Sequence, residues 1–146
     1  NNPEKLDYYI PKIGHKLTLY KMGNLNAPYS VDSIINTDFE SLGAYKYSCF
    51  AWGDQRIEKI VSDSTSGRKV LVIKDSYGSA FVPFLVPNYS TIYVIDPKGF
   101  NMEGCPVFDA KTLIRDEEID DVIFCFSIYG SGRSIIRNAI GSLLLN

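Results

Sequence analysis

One serine stands where this sequence could perform nucleophilic chemistry. Residues 70–84 read V-L-V-I-K-D-S-Y-G-S-A-F-V-P-F, a short apolar run followed by a polar turn that contains Ser76. In open α/β sheets, ligands bind at the carboxyl ends of strands. A helix that begins just beyond Ser76 would direct free N–H groups at the turn, and Gly78 would leave room for a ligand. The same sequence is also typical of an ordinary turn in which a side chain caps the helix and no residue is catalytic.

The group that would activate this serine is missing from its surroundings. A serine hydroxyl is a weak nucleophile until a neighbouring group takes its proton. The only histidine of the chain, His15, lies far upstream and has no Asp two residues before it. Adjacent side chains at a strand end point in opposite directions, so we interpret Asp75 as structural, accepting N–H bonds from the turn. We therefore expect little or no esterase activity from these 146 residues alone.

Composition narrows the classes of protein and ligand. The 146 residues are 45% hydrophobic and 22% charged, the composition of a soluble globular protein. The formal net charge of −2 gives no electrostatic reason to expect nucleic acid. No apolar run approaches the roughly 20 residues of a membrane span. Three cysteines, Cys49, Cys105 and Cys125, lack metal-binding spacing, so neither a metal site nor a cofactor is predicted.

The elements that must position Ser76 follow from periodicity. The sequence divides near Gly67 into an irregular strand- and loop-rich part, 1–66, and an α/β part, 67–146, within one domain or the C-terminal fragment of one. In the second part, apolar runs predict strands and helical spacing predicts helices. The predicted strands are Val70–Ile73, Thr91–Ile95 and Val122–Phe126; the predicted helices are Ser79–Leu85, Asp109 (cap) to about Arg115, and a C-terminal helix from Ser131.

Strands that alternate with helices predict parallel pairing with right-handed crossovers, and hence a mainly parallel open α/β sheet. The first part is less regular. Its patterns predict strands at His15–Met22 and Tyr45–Ala51, and one or two helical turns at Arg56–Val61.

Three segments together carry a family resemblance. Residues 70–85, the run Y-S-T-I-Y-V-I-D-P at 89–97, and F-A-W-G-D at 50–54 resemble the DHHW branch of the SGNH-hydrolase-like superfamily. That branch is related to acyltransferases that O-acetylate extracellular polysaccharides. The resemblance implies a flavodoxin-like, three-layer α/β fold, here incomplete at its N-terminal side. The Asp-His motif of the family is absent, so the base either precedes Asn1 or does not exist.

The resemblance also implies roles for individual residues. Ser76 would be the catalytic nucleophile. Gly53 would either offer its N–H to the oxyanion, beside the N–H of Ser76 itself, or be a plain turn glycine. Tyr77 and Gly78 would border the substrate. Asp54 would either bind the substrate or cap a helix that starts near Arg56.

The implied function is an extracellular or cell-envelope serine esterase or O-acyltransferase, exported by a signal upstream of this chain. Its partner would be a carbohydrate or acylated glycan. The alternative is a non-catalytic module of the same fold that binds glycan or protein, and the missing Asp-His pair favours it. A phosphate- or nucleotide-binding α/β domain fits the turn before the helix, but no glycine-rich phosphate fingerprint is present. The oligomeric state is not encoded in any recognisable pattern.

Overall fold

A six-stranded mixed sheet lies at the centre of the protein. The computed structural model describes residues 5–20, 26–100 and 109–144. The strands are β1 (His15–Tyr20), β2 (Tyr29–Val31), β3 (Ile57–Ser62), β4 (Lys69–Lys74), β5 (Thr91–Ile95) and β6 (Asp121–Cys125). The α-helices are α1 (Phe39–Leu42), α2 (Ala110–Asp116), α3 (Ile128–Gly132) and α4 (Ser134–Leu144). Short 3-10 helices occupy Lys46–Cys49, Ser76–Ala80, Val82–Leu85 and Pro97–Phe100.

The sheet has the order β2-β1-β3-β5-β4-β6 and two kinds of pairing. β4 pairs in parallel with β5 and with β6, so the three strands predicted after Gly67 are indeed parallel to one another. The other three pairings, β1 with β2, β1 with β3, and β3 with β5, are antiparallel. The prediction of a mainly parallel, flavodoxin-like sheet is therefore wrong, since most of the strand pairings are antiparallel.

Two of the three antiparallel pairings involve β3. The segment Arg56–Val61 was predicted as helical turns, yet Ile57–Ser62 is a strand between β1 and β5. Its burial alternates, with Glu58, Ile60 and Ser62 pointing inward. Because a charged residue takes one of the inward positions, the period-two pattern of a strand is hidden in the sequence.

Other local predictions had mixed outcomes. Residues 46–49 of the predicted strand Tyr45–Ala51 form a 3-10 helix, and the predicted helix Ser79–Leu85 is replaced by two 3-10 helices. The helix capped by Asp109 is confirmed, since its Oδ1 accepts the Thr112 N–H at 3.0 Å. The C-terminal helix is present as α3 and α4. Met22 and Cys105 lie outside the described residues.

Both faces of the central strands are covered. Val72 belongs to the larger apolar cluster on one face, and Ile73 to a smaller cluster on the other, because successive side chains alternate. Residues 70–74 of β4 are all fully buried. Complete burial of such an aliphatic side chain contributes about 1.5–3 kcal/mol, so the chain is held rigidly up to the residue before the turn. Within the described residues, no helix has the length and apolar character needed to cross a membrane.

Candidate functional site

Ser76 begins the 3-10 helix that follows β4 directly. Asp75 caps this helix, with its Oδ1 accepting the Tyr77 N–H at 3.1 Å. Ser76 itself is half-buried, and within the described part of the chain its hydroxyl makes no hydrogen bond. The hydroxyl is therefore available to a ligand rather than occupied by capping.

A buried carboxylate joins the ends of β4 and β6. The Asp75 side chain accepts two further hydrogen bonds at Oδ2, from the Ser127 N–H at 2.9 Å and from the Ser127 hydroxyl at 2.8 Å. The Ser127 hydroxyl in turn accepts the Gly130 N–H at 2.8 Å. We call Asp75, Ser127 and Gly130 the Asp75–Ser127 clamp. Because it ties two strand ends together, it fixes the backbone immediately before Ser76.

Two glycines allow this close packing. A Cβ on Gly130 would collide with the Asp75 carboxylate and lie 2.9 Å from the Ser127 hydroxyl oxygen. A Cβ on Gly78 would lie 2.6 Å from the Cβ of Lys74 and 3.2 Å from the carbonyl oxygen of Cys125. The space beside Gly78, which the sequence assigned to a ligand, is thus filled by the end of the sheet, and Gly78 lines neither of the clefts that reach Ser76.

Two clefts meet at Ser76. The first, the charged cleft, has a volume of about 260 Å³ and lies towards α3 and α4. Its walls are Asp75, Ser76, Tyr77, Lys98, Ser127, Tyr129, Gly130, Arg133 and Ile136. The second, the aromatic cleft, measures about 300 Å³ and is lined by Tyr47, Ser76 and Tyr77. The Tyr47 hydroxyl donates to the Tyr77 carbonyl oxygen at 2.8 Å, which fixes the two aromatic residues relative to each other.

A buried charge cluster lies on the other face of the sheet at the same carboxyl edge. Its members Glu58, Lys74 and Asp96 are fully buried. The Lys74 Nζ lies 3.8 Å from Oδ1 of Asp54, and the Lys98 Nζ lies 3.5 Å from Oδ2 of Asp54 and 3.3 Å from Oδ2 of Asp96. Neither carboxylate oxygen of Glu58 nor the Lys74 Nζ has a hydrogen-bond partner among the described residues.

Burial sets the ionisation of this cluster. Removal from water raises the pKa of Glu58 from 4.5 to about 8; the positive charge of Lys74 opposes this rise, and the charges of Asp54 and Asp96 add to it. Burial also raises the pKa of Asp96, against the opposing effects of Lys74 and Lys98. Glu58 is consequently an acid that holds its proton at neutral pH.

Neither Gly53 nor Asp54, both predicted to lie beside Ser76, lines a cleft with it. Asp54 is half-exposed and pairs with Lys74 and Lys98; because Ile57–Ser62 is a strand, the prediction that Asp54 caps a helix is wrong. Gly53 has a left-handed backbone with φ of 84°, and its N–H donates to the Phe50 carbonyl oxygen at 3.0 Å. Gly53 lines neither cleft, so the structure does not bring it together with Ser76.

His15 is remote from the serine. It opens β1, which β3 and β5 separate from β4 in the sheet. Its Nε2 accepts the Ile34 N–H at 3.1 Å, and its Nδ1 lies 2.9 Å from the Ile13 carbonyl oxygen. Both ring nitrogens are occupied, so His15 is in no position to take a proton from Ser76.

Sequence reasoning missed the α3 side of the charged cleft. Ser127, Tyr129, Gly130 and Arg133 all follow β6. The available signal was the polar run S-I-Y-G-S-G-R at 127–133, which comes directly after a parallel strand. The rule that singled out Ser76, that ligands bind at the carboxyl ends of strands, applies equally to this run.

Comparison with known proteins identifies similar sequences and folds. The sequence pattern of the DHHW protein family matches residues 1–95. The crystal structure of a DHHW family protein from Eubacterium siraeum is 29% identical, with a TM-score of 0.73 over 94% of this chain and 43% of that one. No curated protein matches the sequence.

Bacillus cereus PatB1 has a similar fold. Its structure with a sulfonyl adduct is 18% identical, with a TM-score of 0.67 over 89% of this chain and 44% of that one. A second PatB1 structure is 19% identical, with a TM-score of 0.60 over 83% of this chain and 38% of that one. The chain spans less than half the length of each of these solved structures.

Proposed function

The chain belongs to the DHHW family, and on that premise we propose that it is the serine-bearing part of an SGNH-like acyl-transferring enzyme of the cell envelope. One observation carries the proposal. Ser76 presents a hydroxyl without a hydrogen bond, at the meeting point of two clefts, on a turn held by the Asp75–Ser127 clamp. A serine with only a structural role would instead be buried and bonded.

The chemistry follows in two steps. A base takes the proton of the Ser76 hydroxyl as its oxygen bonds to the acyl carbon of an ester, and the leaving alcohol departs with a proton. A second hydroxyl, from a sugar or from water, then attacks the acyl-serine and restores Ser76. The Asp75 carboxylate is buried and already accepts three hydrogen bonds, so it serves as a positioning group and not as the base.

The base is proposed to come from outside the described residues, on the β6 side. β6 is the last strand in the sheet order, and its outward residues Val122 and Phe124 are 40% and 50% exposed. The charged cleft is lined by residues that directly follow this strand. A segment packed against β6 would cover the apolar side chains and bring a histidine to the open side of Ser76.

The aromatic cleft supports a carbohydrate substrate. Tyr47 and Tyr77 are both exposed, and an aromatic ring with a polar tip can pack on the apolar face of a sugar while bonding its hydroxyls. We assign the sugar to this cleft and the acyl group to the turn between the clefts. The fold similarity to PatB1, whose structure carries a sulfonyl adduct, suggests the class of reagent with which to test Ser76.

The competing function is a binding module of the same fold with no catalysis. It is favoured by one observation: among the residues described for both clefts there is no histidine and no carboxylate free to act as a base. Such a module would hold a glycan in the aromatic cleft and leave Ser76 unreactive.

Sulfonylation with phenylmethanesulfonyl fluoride separates the two functions. The adduct sites would be located by mass spectrometry, with and without imidazole as an external base. We expect the Ser76 adduct to form at least ~10-fold faster than that on the exposed Ser131, and imidazole to accelerate it, because a missing general base typically costs about 10²–10⁴-fold. Ser76→Ala should remove this adduct. Equal labelling of Ser76 and Ser131 would contradict the acyl-transfer proposal and favour the binding module.

A further inference from the structure

The charged cleft has a cationic wall that faces the serine. Arg133 is the residue between α3 and α4, it is exposed, and it lines the cleft. Its guanidinium carbon lies 5.6 Å from the centroid of the Tyr129 ring, which lines the same cleft and is 78% exposed. No acidic side chain of the described residues pairs with Arg133.

The other charged groups of the cleft are either buried or already paired. Asp75 is buried and accepts hydrogen bonds from Ser127 and Tyr77. Lys98 is held between Asp54 and Asp96. The unpaired charge that the described cleft residues present to solvent is therefore the positive charge of Arg133.

A guanidinium of this kind recognises a particular chemistry. Its planar fork of N–H donors matches a carboxylate or a phosphate in two parallel hydrogen bonds. The Tyr129 hydroxyl, on the same wall, can add a third donor. Neutral ligands gain little from either group, since their oxygens carry no full charge.

We propose that Arg133 and Tyr129 bind a carboxylate or phosphate on the molecule whose acyl group reaches Ser76, so that this molecule is an anion. The inference rests on the proposed function and narrows its substrate class. Each cleft beside Ser76 would then bind a different part of the substrates. The aromatic cleft binds an uncharged sugar face, and the charged cleft binds the anionic end of the acyl compound.

Nuclear magnetic resonance titration tests this directly. The 146-residue chain, labelled with ¹⁵N, would be titrated with benzoate, phenyl phosphate and neutral benzamide while the amides of Ser127, Gly130 and Arg133 are followed. We expect saturable shifts with at least one anion and about tenfold weaker binding of benzamide, the range of a charge-assisted hydrogen bond. Comparison of the affinities for benzoate and phenyl phosphate identifies which anion the site prefers. Added salt should weaken the anions but not benzamide.

Matched variants localise the effect. Arg133→Gln should weaken anion binding about tenfold, whereas Arg137→Gln, an exposed arginine of α4 outside the cleft lining, should not. Equal binding of benzoate, phenyl phosphate and benzamide, no binding of any probe, or equal losses in both variants would overturn the inference. Ser76→Ala should keep anion binding, so an unreactive serine would remove the proposed function while leaving the anion site intact.

Discussion

At the carboxyl end of β4, the two faces of the sheet differ in whether their buried polar groups have hydrogen-bond partners. On the Asp75 face, both carboxylate oxygens of Asp75 accept hydrogen bonds, and the serine turn is fixed. On the Lys74 face, the buried charge cluster leaves the Lys74 amine and both Glu58 oxygens without hydrogen bonds from the described residues. A satisfied buried group gives a single rigid geometry, whereas an unsatisfied one is sensitive to protonation. The difference teaches that one edge of a sheet can carry both a rigid support, Asp75, and a titrating group, Glu58.

The largest expected effect comes from breaking the satisfied side. Asp75→Asn would place an amide group where an oxygen now accepts from Ser127 or Tyr77, leaving a buried donor without its acceptor. We expect a loss of about 3 kcal/mol in the free energy of unfolding, the scale of hydrogen bonds to a charged group. Denaturant titration measures this value. Asp38→Asn is the matched control: Asp38 is an exposed cap that accepts the Ser41 N–H, and Asn caps equally well. A loss below ~1 kcal/mol for Asp75→Asn would show that the clamp is not rigid.

A steric change to the same clamp should cost somewhat less. Gly130→Ala adds a methyl group that collides with the Asp75 carboxylate, so α3 must move away from the strand ends. We expect a loss of about 2 kcal/mol, in the range of overpacking a buried site. Sulfonylation of Ser76 should slow in parallel.

Gly132→Ala provides the comparison. It lies two residues further on, and a Cβ there meets no atom within 4 Å. The Gly132→Ala protein should keep wild-type stability within about 0.5 kcal/mol. Equal effects of the two substitutions would mean that the contact with Asp75 is not the cause.

Per pH unit, the smallest expected effect is the pH dependence of the unsatisfied side. Glu58 has a pKa of about 8 in the folded protein, raised from 4.5 by burial. Between these values the folded state holds a proton that the unfolded chain has lost. The contribution of Glu58 to stability is therefore fully present below pH 4.5 and is lost as the pH rises through about 8. The slope cannot exceed about 1.4 kcal/mol per pH unit for one proton.

Substitution isolates this proton. Glu58→Gln should flatten the dependence of unfolding free energy on pH between about 5 and 8, because glutamine does not titrate. Glu40→Gln, at an exposed position, should leave the slope unchanged. Urea unfolding at several pH values gives the slopes. An unchanged slope in Glu58→Gln would show that the buried carboxyl does not govern this range.

The sequence predicted those parts of the fold that local pattern determines. β4, β5 and β6 have continuous apolar runs, and α2 has its cap at Asp109. β3 was missed because Glu58 occupies an inward position that periodicity reserves for apolar residues. Strand order and the antiparallel half depend on contacts between distant segments, which no single-sequence pattern encodes.

In the candidate site, too, the contacts between neighbours in sequence were predictable and those between distant segments were not. Ser76 and the capping oxygen of Asp75 are neighbours in sequence and could be anticipated. The partner of Asp75, Ser127, and the cationic residue Arg133 come from a segment more than 50 residues away. The family resemblance suggests that the Gly53 N–H binds the oxyanion. In the structure this N–H donates to the Phe50 carbonyl oxygen, a contact made within the local turn that the sequence pattern did not predict.

The distance in sequence between Asp75 and Ser127, 52 positions, has a consequence for folding. The serine turn cannot take its final shape from local residues, since two of the three hydrogen bonds to Asp75 come from Ser127. β5, α2 and β6 must assemble first, and such non-local closure is slow compared with turn formation. During synthesis, the serine turn would thus remain unformed until the segment through Gly130 has left the ribosome. The serine turn therefore matures only with the whole sheet, and the proposed nucleophile is not in place before then.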